Sequence, residues 1–155
     1  MDFIYSYSTP IGLLWIGEFN NAISYISIHK PDGLINETKL IKQCYQELIE
    51  YFNGQRKEFS FPIYYKDTLF RETCYKALQT IPYGSTISYQ ELANKINKPS
   101  ASRAVGNAIH HNPLLIVIPC HRIIRKNGDL GGFGAGIDIK IKLLELEGGI
   151  KIWAN

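Results

Sequence analysis

The chain has 155 residues and a mass of 17.6 kDa, 45% of it hydrophobic and 20% charged. That is enough apolar material for one domain or two small ones, and too little charge for intrinsic disorder. The formal net charge of +3 is unevenly spread: residues 1–66 carry six basic and seven acidic side chains, residues 67–155 eleven and seven, and no acid falls between Leu92 and Gly128. A basic window of that kind points to a polyanion, nucleic acid first.

The first thirty residues read as β. Phe3–Tyr7, Gly12–Gly17 and Ala22–Ile28 are rich in β-branched and aromatic residues, with Thr9-Pro10 and Asn20-Asn21 as hairpin turns. They predict an antiparallel meander that ends at Pro31-Asp32-Gly33. A helix is predicted over Glu37–Phe52, where Leu40, Cys44, Leu48 and Phe52 recur at four-residue steps, and Asn53-Gly54 is its stop signal. The charge balance changes near Lys66, so two domains are expected, 1–66 and 67–155.

The second part reads as helical. Asp67 is expected to cap a helix over Thr68–Ile81, broken by Pro82-Tyr83-Gly84. Ser88 and Glu91 have the spacing of a capping box and open a short helix to about Ile96. After the turn at Asn97-Lys98-Pro99, a small-residue helix is predicted from Ser100 to about His110, stopped by Asn112-Pro113. Two short helices across a tight turn make a helix-turn-helix. A final helix over Ile137–Glu147, with Ile137, Ile141 and Leu144 as its apolar repeat, is expected to end at Gly148-Gly149.

Three cysteines at wide spacing, with no CxxC, exclude a disulfide scaffold and a cysteine-based zinc site. Cys44 and Cys74 fall on apolar helical faces and read as core. Cys120 is different. Pro119 precedes it, His121 and Arg122 follow it, and a reactive thiolate needs a nearby cation or imidazole. The adjacent pair taken alone is ordinary; the surrounding run is not.

Ile118-Pro119-Cys120-His121-Arg122-Ile123-Ile124, followed by Gly131-Gly132-Phe133, resembles the active-site signature of the O6-alkylguanine-DNA alkyltransferases. The resemblance extends through Pro82-Tyr83-Gly84, Ile87–Ala93, Arg103-Ala104-Val105-Gly106, Asn112-Pro113 and Glu147-Gly148. Over the first half it is loose, carried by Ser8–Gly12 and the meander-then-helix pattern.

It implies an α+β protein: a ribonuclease H-like antiparallel sheet with a helix, then a mostly helical domain with a helix-turn-helix. It also implies an enzyme of DNA repair that moves the alkyl group from O6-alkylguanine, and secondarily O4-alkylthymine, to its own Cys120. Each molecule acts once, as a monomer, without metal or organic cofactor. His121 would deprotonate Cys120 through a water and Glu147 would hold His121. Tyr89 would donate to guanine N3 as the base leaves. The nucleotide would be flipped out of duplex DNA approached from the minor groove. Arg103 would fill the gap, and Ser102, Ala104, Tyr89 and Arg122 would lie on the DNA. Asn112 would brace the Pro119–His121 turn. The pocket would use the carbonyls of Cys120 and Ile123, the amide of Gly134 and the walls Phe133 and Tyr89.

Three departures are visible. Phe133 stands where tyrosine is common and Gly134 where serine occurs, which bears on alkyl-group size. The zinc-binding cysteines of some members are missing from the first half, so no zinc is expected. A non-repairing lesion-binding relative is disfavoured by Cys120. A helix-turn-helix regulator would leave Cys120, His121, Tyr89 and the glycine loop unused. A Cys-His hydrolase would have no reason for a basic groove. The longest strongly apolar run, Leu114–Ile118, is far short of a bilayer span, and the N-terminus has an acid at position 2 and no basic run, so the chain is expected in the cytoplasm, or in the nucleus of a eukaryote.

Overall fold

The computed structural model describes residues 1–148 and divides the chain into two compact units. One comprises Met1–Tyr65 with Pro113–Leu115; the other comprises Lys66–Asn112 and the chain from Ile116 onward. No helix among the described residues is long and apolar enough to cross a membrane.

The first unit is a four-stranded sheet with one helix. β1 (Phe3–Thr9), β2 (Gly12–Phe19) and β3 (Ala22–Ser27) form the expected antiparallel meander. Asn20 and Asn21 both have positive φ, as a two-residue hairpin turn that follows strand twist requires. The sheet is nevertheless mixed. β4 (Leu34–Ile35) lies parallel to β1 and gives the order β3-β2-β1-β4. Two residues after a Pro-Asp-Gly turn carry no periodicity, so the sequence hides this strand.

α1 (Lys39–Phe52) starts at a Thr38 cap, two residues later than expected, and buries Ile41, Cys44, Leu48 and Tyr51. Within this unit Ile23 bridges Ile63, and Ile26 bridges Leu114. Glu47 is also buried; Ser60 N and Oγ and Gln43 Nε2 donate to its carboxylate, and Arg56 lies 3.4 Å away.

The second unit is helical. α2 (Leu69–Leu78) is capped by Thr68, whose hydroxyl accepts from Arg71 N, and not by Asp67. Asp67 instead accepts from Arg71 Nη1 and Tyr75 Oη. The Ser88–Glu91 capping box forms as predicted and opens α3 (Tyr89–Lys95). α4 (Ser102–Ile109) follows after a turn through Asn97, at φ +59°, and packs on α3 and α2. Cys120–Arg122 is a single 3-10 turn. It leads into β6 (Ile123–Ile124), which pairs in parallel with β5 (Ile87–Ser88). This two-residue ladder sets the residue after Cys120-His121-Arg122 beside the start of the helix that carries Tyr89.

α5 (Ile137–Glu147) has the predicted bounds, and Gly148 caps it at φ +73°; Gly149 lies outside the described residues. Its buried face differs from the expected one. Lys140, Leu143, Leu144 and Glu147 are buried, whereas Ile137 is 42% exposed. The buried stripe therefore begins and ends in a charge.

Candidate active site

Cys120 opens the 3-10 turn, with its own amide donating to Ile118 O at 2.7 Å. It is only 6% exposed. Asn112 Nδ2 donates to Ile118 O at 2.8 Å and to Cys120 Sγ at 3.1 Å. The asparagine thus braces the turn and touches the sulfur itself. Burial pushes the thiol up, to about 11, against the pull of the Asn112 amide and the charge of Lys140. At neutral pH the group is a protonated thiol that needs a base.

The candidate base is the next residue in the chain. His121 is fully buried, and its Nε2 lies 2.7 Å from Glu147 Oε2. A carboxylate can only accept, so Nε2 carries the hydrogen and Nδ1 keeps its lone pair. No group among the described residues bonds Nδ1, although it is buried. Burial lowers the basicity of the ring and outweighs Glu147, which raises it; Arg122 and Lys140 lower it further. The imidazole rests neutral, with its basic nitrogen open.

Glu147 ends α5, where a carboxylate meets the negative end of the helix dipole. The compensation is Arg122. Its Nε donates to Oε1 at 2.8 Å and its Nη2 to Oε2 at 3.0 Å, a two-pronged pair. Nη1 donates to Ile81 O at 2.7 Å, and the guanidinium lies 5.8 Å from the Tyr83 ring centroid. Tyr83 Oη donates to Leu146 O at 3.3 Å. The Pro82-Tyr83-Gly84 turn and the end of α5 thus enclose the pair. This corrects the placement of Arg122 on DNA: the side chain is buried and turned inward, because its partner Glu147 is an interior carboxylate.

Tyr89 is half-buried at the start of α3. Its ring lies between Gly106 of α4 and Gly131 of the glycine loop; a Cβ at Gly106 would sit 3.7 Å from Cε1, and one at Gly131 would sit 2.8 Å from the hydroxyl. Burial and the Cys120 charge raise the phenol above its ordinary range, against Arg125, so it remains a donor.

The other expected residues separate into two sets. Arg103 and Ala104 are exposed on α4 and Ser102 is partly so, as a surface meeting DNA requires. Ile123 is buried with its carbonyl accepting from Lys140 Nζ at 2.5 Å, and Cys120 O already accepts from Ile123 N. Each carbonyl has a second lone pair for a ligand. The amide of Gly134 donates to nothing among the described residues, and Phe133 is partly exposed beside it.

Sequence reasoning missed Lys140. It is 1% exposed, and no motif singled it out. Its spacing three before Leu143 and seven before Glu147 was the available signal. Among the described residues no group of three or more His, Cys, Asp or Glu side chains could hold a metal ion.

Comparison with known proteins bears on both units. The 6-O-methylguanine DNA methyltransferase DNA-binding domain family matches residues 69–149, and its ribonuclease-like domain family matches residues 5–65. The inducible methylated-DNA–protein-cysteine methyltransferase of Bacillus subtilis is 43% identical over 148 residues, 92% of this chain and 83% of its own. The methylated-DNA–protein-cysteine methyltransferase of Methanosarcina acetivorans is 37% identical, covering 92% and 96%. Among solved structures, the Mycobacterium tuberculosis OGT in complex with DNA superposes with a TM-score of 0.88 at 36% identity, over 94% of this chain and 92% of that one.

Proposed function

The chain belongs to the methylated-DNA–protein-cysteine methyltransferase family, DNA-binding repair enzymes that transfer an alkyl group to a cysteine, and from that premise we propose that Cys120 is the acceptor and O6-alkylguanine in duplex DNA the donor. O4-alkylthymine is the secondary donor in this reading. The observation that carries it is the imidazole of His121, neutral and fixed by Glu147, with an open Nδ1 next in sequence to a protonated thiol.

The reaction runs as one displacement. His121 Nδ1 takes the thiol proton through a water, and the sulfur attacks the alkyl carbon. The carbon–O6 bond breaks and its electron pair stays on the purine. Tyr89, kept protonated by burial, donates to N3 of the leaving base. A thioether forms that no group in the site can hydrolyse, so each molecule acts once.

A stacked guanine cannot bring O6 to a sulfur that is 6% exposed, so the nucleotide is flipped out. Exposed Arg103 takes its place in the stack. Exposed Ala104 and partly exposed Ser102 keep that face of α4 low enough for a narrow minor groove. The flipped base is read by the carbonyls of Cys120 and Ile123 and the Gly134 amide, with Phe133 as a wall and Asn112 holding the turn. All these residues belong to residues 67–155 of one chain, which supports a monomer as the working form and 1–66 as a supporting domain. A DNA substrate fits a protein of the cytoplasm, or of the nucleus in a eukaryotic cell.

Intact mass after incubation with an O6-methylguanine duplex is the test. One methyl gained on a Cys120 peptide, in a one-to-one yield, supports the reading. Tight binding with unchanged mass indicates a non-repairing lesion binder, and continued turnover indicates a hydrolase; either result overturns it.

A further inference from the structure

The Pro82-Tyr83-Gly84 turn has no place in the displacement above, yet it closes over the Arg122–Glu147 pair. Ser85 N donates to Pro82 O at 3.1 Å, and Gly84, at φ +82°, takes the position that a type II turn reserves for glycine. The turn lies against the end of α5. A helix leaves its last four carbonyls without intrahelical partners. Here Gly148 N serves those of Leu144 and Glu145, and the Tyr83 hydroxyl donates to that of Leu146 at 3.3 Å. Gly84 lies against the fourth: a Cβ there would sit 3.1 Å from Glu147 O.

The same turn holds Arg122. Ile81 O, just before it, accepts from Nη1 at 2.7 Å. The guanidinium carbon lies 5.8 Å from the Tyr83 ring centroid, within reach of a cation–π contact. The placement of Arg122 bears on His121, because both donate to one oxygen: Glu147 Oε2 accepts from Arg122 Nη2 at 3.0 Å and from His121 Nε2 at 2.7 Å. If the guanidinium shifts, the acceptor of the imidazole shifts with it. His121 is 0% exposed and Arg122 8%, while Tyr83 is only partly buried. Tyr83 is therefore the outer end of a row that runs inward through Arg122 and Glu147 to His121. Burial and the Glu147 charge raise its phenol above the ordinary range, against Arg122, so it stays a neutral donor.

We infer that Tyr83 is a positioning residue for alkyl transfer: its ring covers the Arg122 guanidinium, its hydroxyl fixes the last turn of α5, and together they keep Glu147 aligned on Nε2 of His121. The inference rests on Cys120 being the alkylated sulfur with His121 as its base. Without the ring, water reaches the guanidinium, and a hydrated Arg122 holds the shared carboxylate less firmly. The imidazole can then take its other tautomer, with the hydrogen on Nδ1. That tautomer offers no lone pair at the nitrogen that stands open.

Ring nitrogen-15 and proton spectra of histidine-labelled chain test this with no alkylguanine present. Of the four histidines, His29, His110 and His111 are exposed, so a slowly exchanging ring hydrogen belongs to His121. The intact wild-type chain should show His121 with its hydrogen on Nε2, protected from solvent. Tyr83→Ala should exchange that hydrogen about tenfold faster, the scale of one lost hydrogen bond with one lost ring contact, and should populate the Nδ1–H tautomer. Tyr83→Phe keeps the ring and should stay within about threefold of wild type, the scale of one weak hydrogen bond. Single-turnover methyl transfer should slow in Tyr83→Ala and recover in Tyr83→Phe. Asp67→Asn, which weakens the Arg71 and Tyr75 contacts of α2, is the control for stability. Measured at the same interval below its own melting temperature, it should leave the His121 hydrogen protected.

A wild-type His121 with its hydrogen on Nδ1, or with no protected ring hydrogen, overturns the inference whether or not the variants fold. So does a folded Tyr83→Ala that matches wild type in exchange or in transfer rate, and so does an Asp67→Asn that speeds exchange equally. If Tyr83→Ala shifts the imidazole as expected but the wild-type chain takes no methyl from the O6-methylguanine duplex, the assignment of the donor fails while the hold of Tyr83 on Glu147 and His121 stands.

Discussion

Nε2 of His121 lies 2.7 Å from Oε2 of Glu147, and the same carboxylate takes two bonds from Arg122. One acid therefore fixes the tautomer of the imidazole and neutralises a buried cation. Replacing Glu147 by Gln leaves Arg122 without a counter-charge in the interior and lets the imidazole turn. Breaking a buried pair from one side costs about 3–5 kcal/mol. The Glu147→Gln chain should unfold roughly 10 °C lower in a thermal melt, at two to four degrees per kcal/mol for this size. Methyl transfer should slow as well, even at temperatures where the variant is folded. A melt within a degree of wild type would show that the pair contributes no stability.

Arg103 and Arg122 looked alike as cations in an acid-free window, and the fold separates them. Arg103 is exposed on α4; Arg122 is 8% exposed and paired. Arg103→Ala should slow repair of a methylated duplex by about tenfold or more, because unstacking costs a few kcal/mol that the arginine offsets. Its reaction with free O6-benzylguanine should change little. Arg122→Met should lower the melting temperature and slow both substrates together. Rates on the two substrates, measured side by side, decide; equal losses for Arg103→Ala would remove it from the flipping step.

In the first unit, Glu47 links folding to pH. Burial pushes its carboxyl up, but bonds from Ser60 and Gln43 and the Arg56 charge outweigh it and hold it below the ordinary range. A carboxyl depressed in the folded state contributes stability above its unfolded pKa, about 4.3 for glutamate. That stability is lost as the pH falls through the folded value. Glu47→Gln should therefore melt below wild type at pH 7, and the gap should close as the pH falls below the unfolded value of about 4.3. A gap that is constant across that range would show that the charge is not what stabilises.

What the sequence made legible was local or periodic. Ser88 and Glu91 announce a helix start in four residues, Asn20-Asn21 a tight hairpin, and the run around Cys120-His121 the family to which the chain belongs. What stayed hidden depends on residues distant in sequence. The β5–β6 ladder pairs residues thirty-six apart with two residues per strand, too short for any pattern. Thr68 takes the cap that Asp67 looked suited for because Asp67 is engaged by Arg71 and Tyr75. Lys140 and Arg122 look like solvated charges until a partner is known, and their partners are three carbonyls and a helix-end carboxylate. Of the apolar repeat Ile137, Ile141, Leu144, only Leu144 is fully buried, and the face of α5 that packs also carries Lys140 and Glu147.

Gly131 couples the glycine loop to Tyr89. It has φ +74°, and a Cβ there would sit 2.8 Å from the Tyr89 hydroxyl and 3.3 Å from Cε2. Two penalties act on Gly131→Ala. The left-handed backbone costs an alanine about 1–2 kcal/mol, and the methyl forces the phenol or the loop to move. Neither route leaves the hydroxyl where a leaving base could use it. The melting temperature should fall by only a few degrees, since one strained residue is small against the whole fold. Methyl transfer should fall much further, by about tenfold or more, the scale of losing one aligned donor to a developing anion. Tyr89→Phe removes the donor without the methyl, so it should match Gly131→Ala in rate while melting close to wild type. If Gly131→Ala instead keeps full single-turnover rates on the methylated duplex, the contact between this loop and Tyr89 has no part in the reaction.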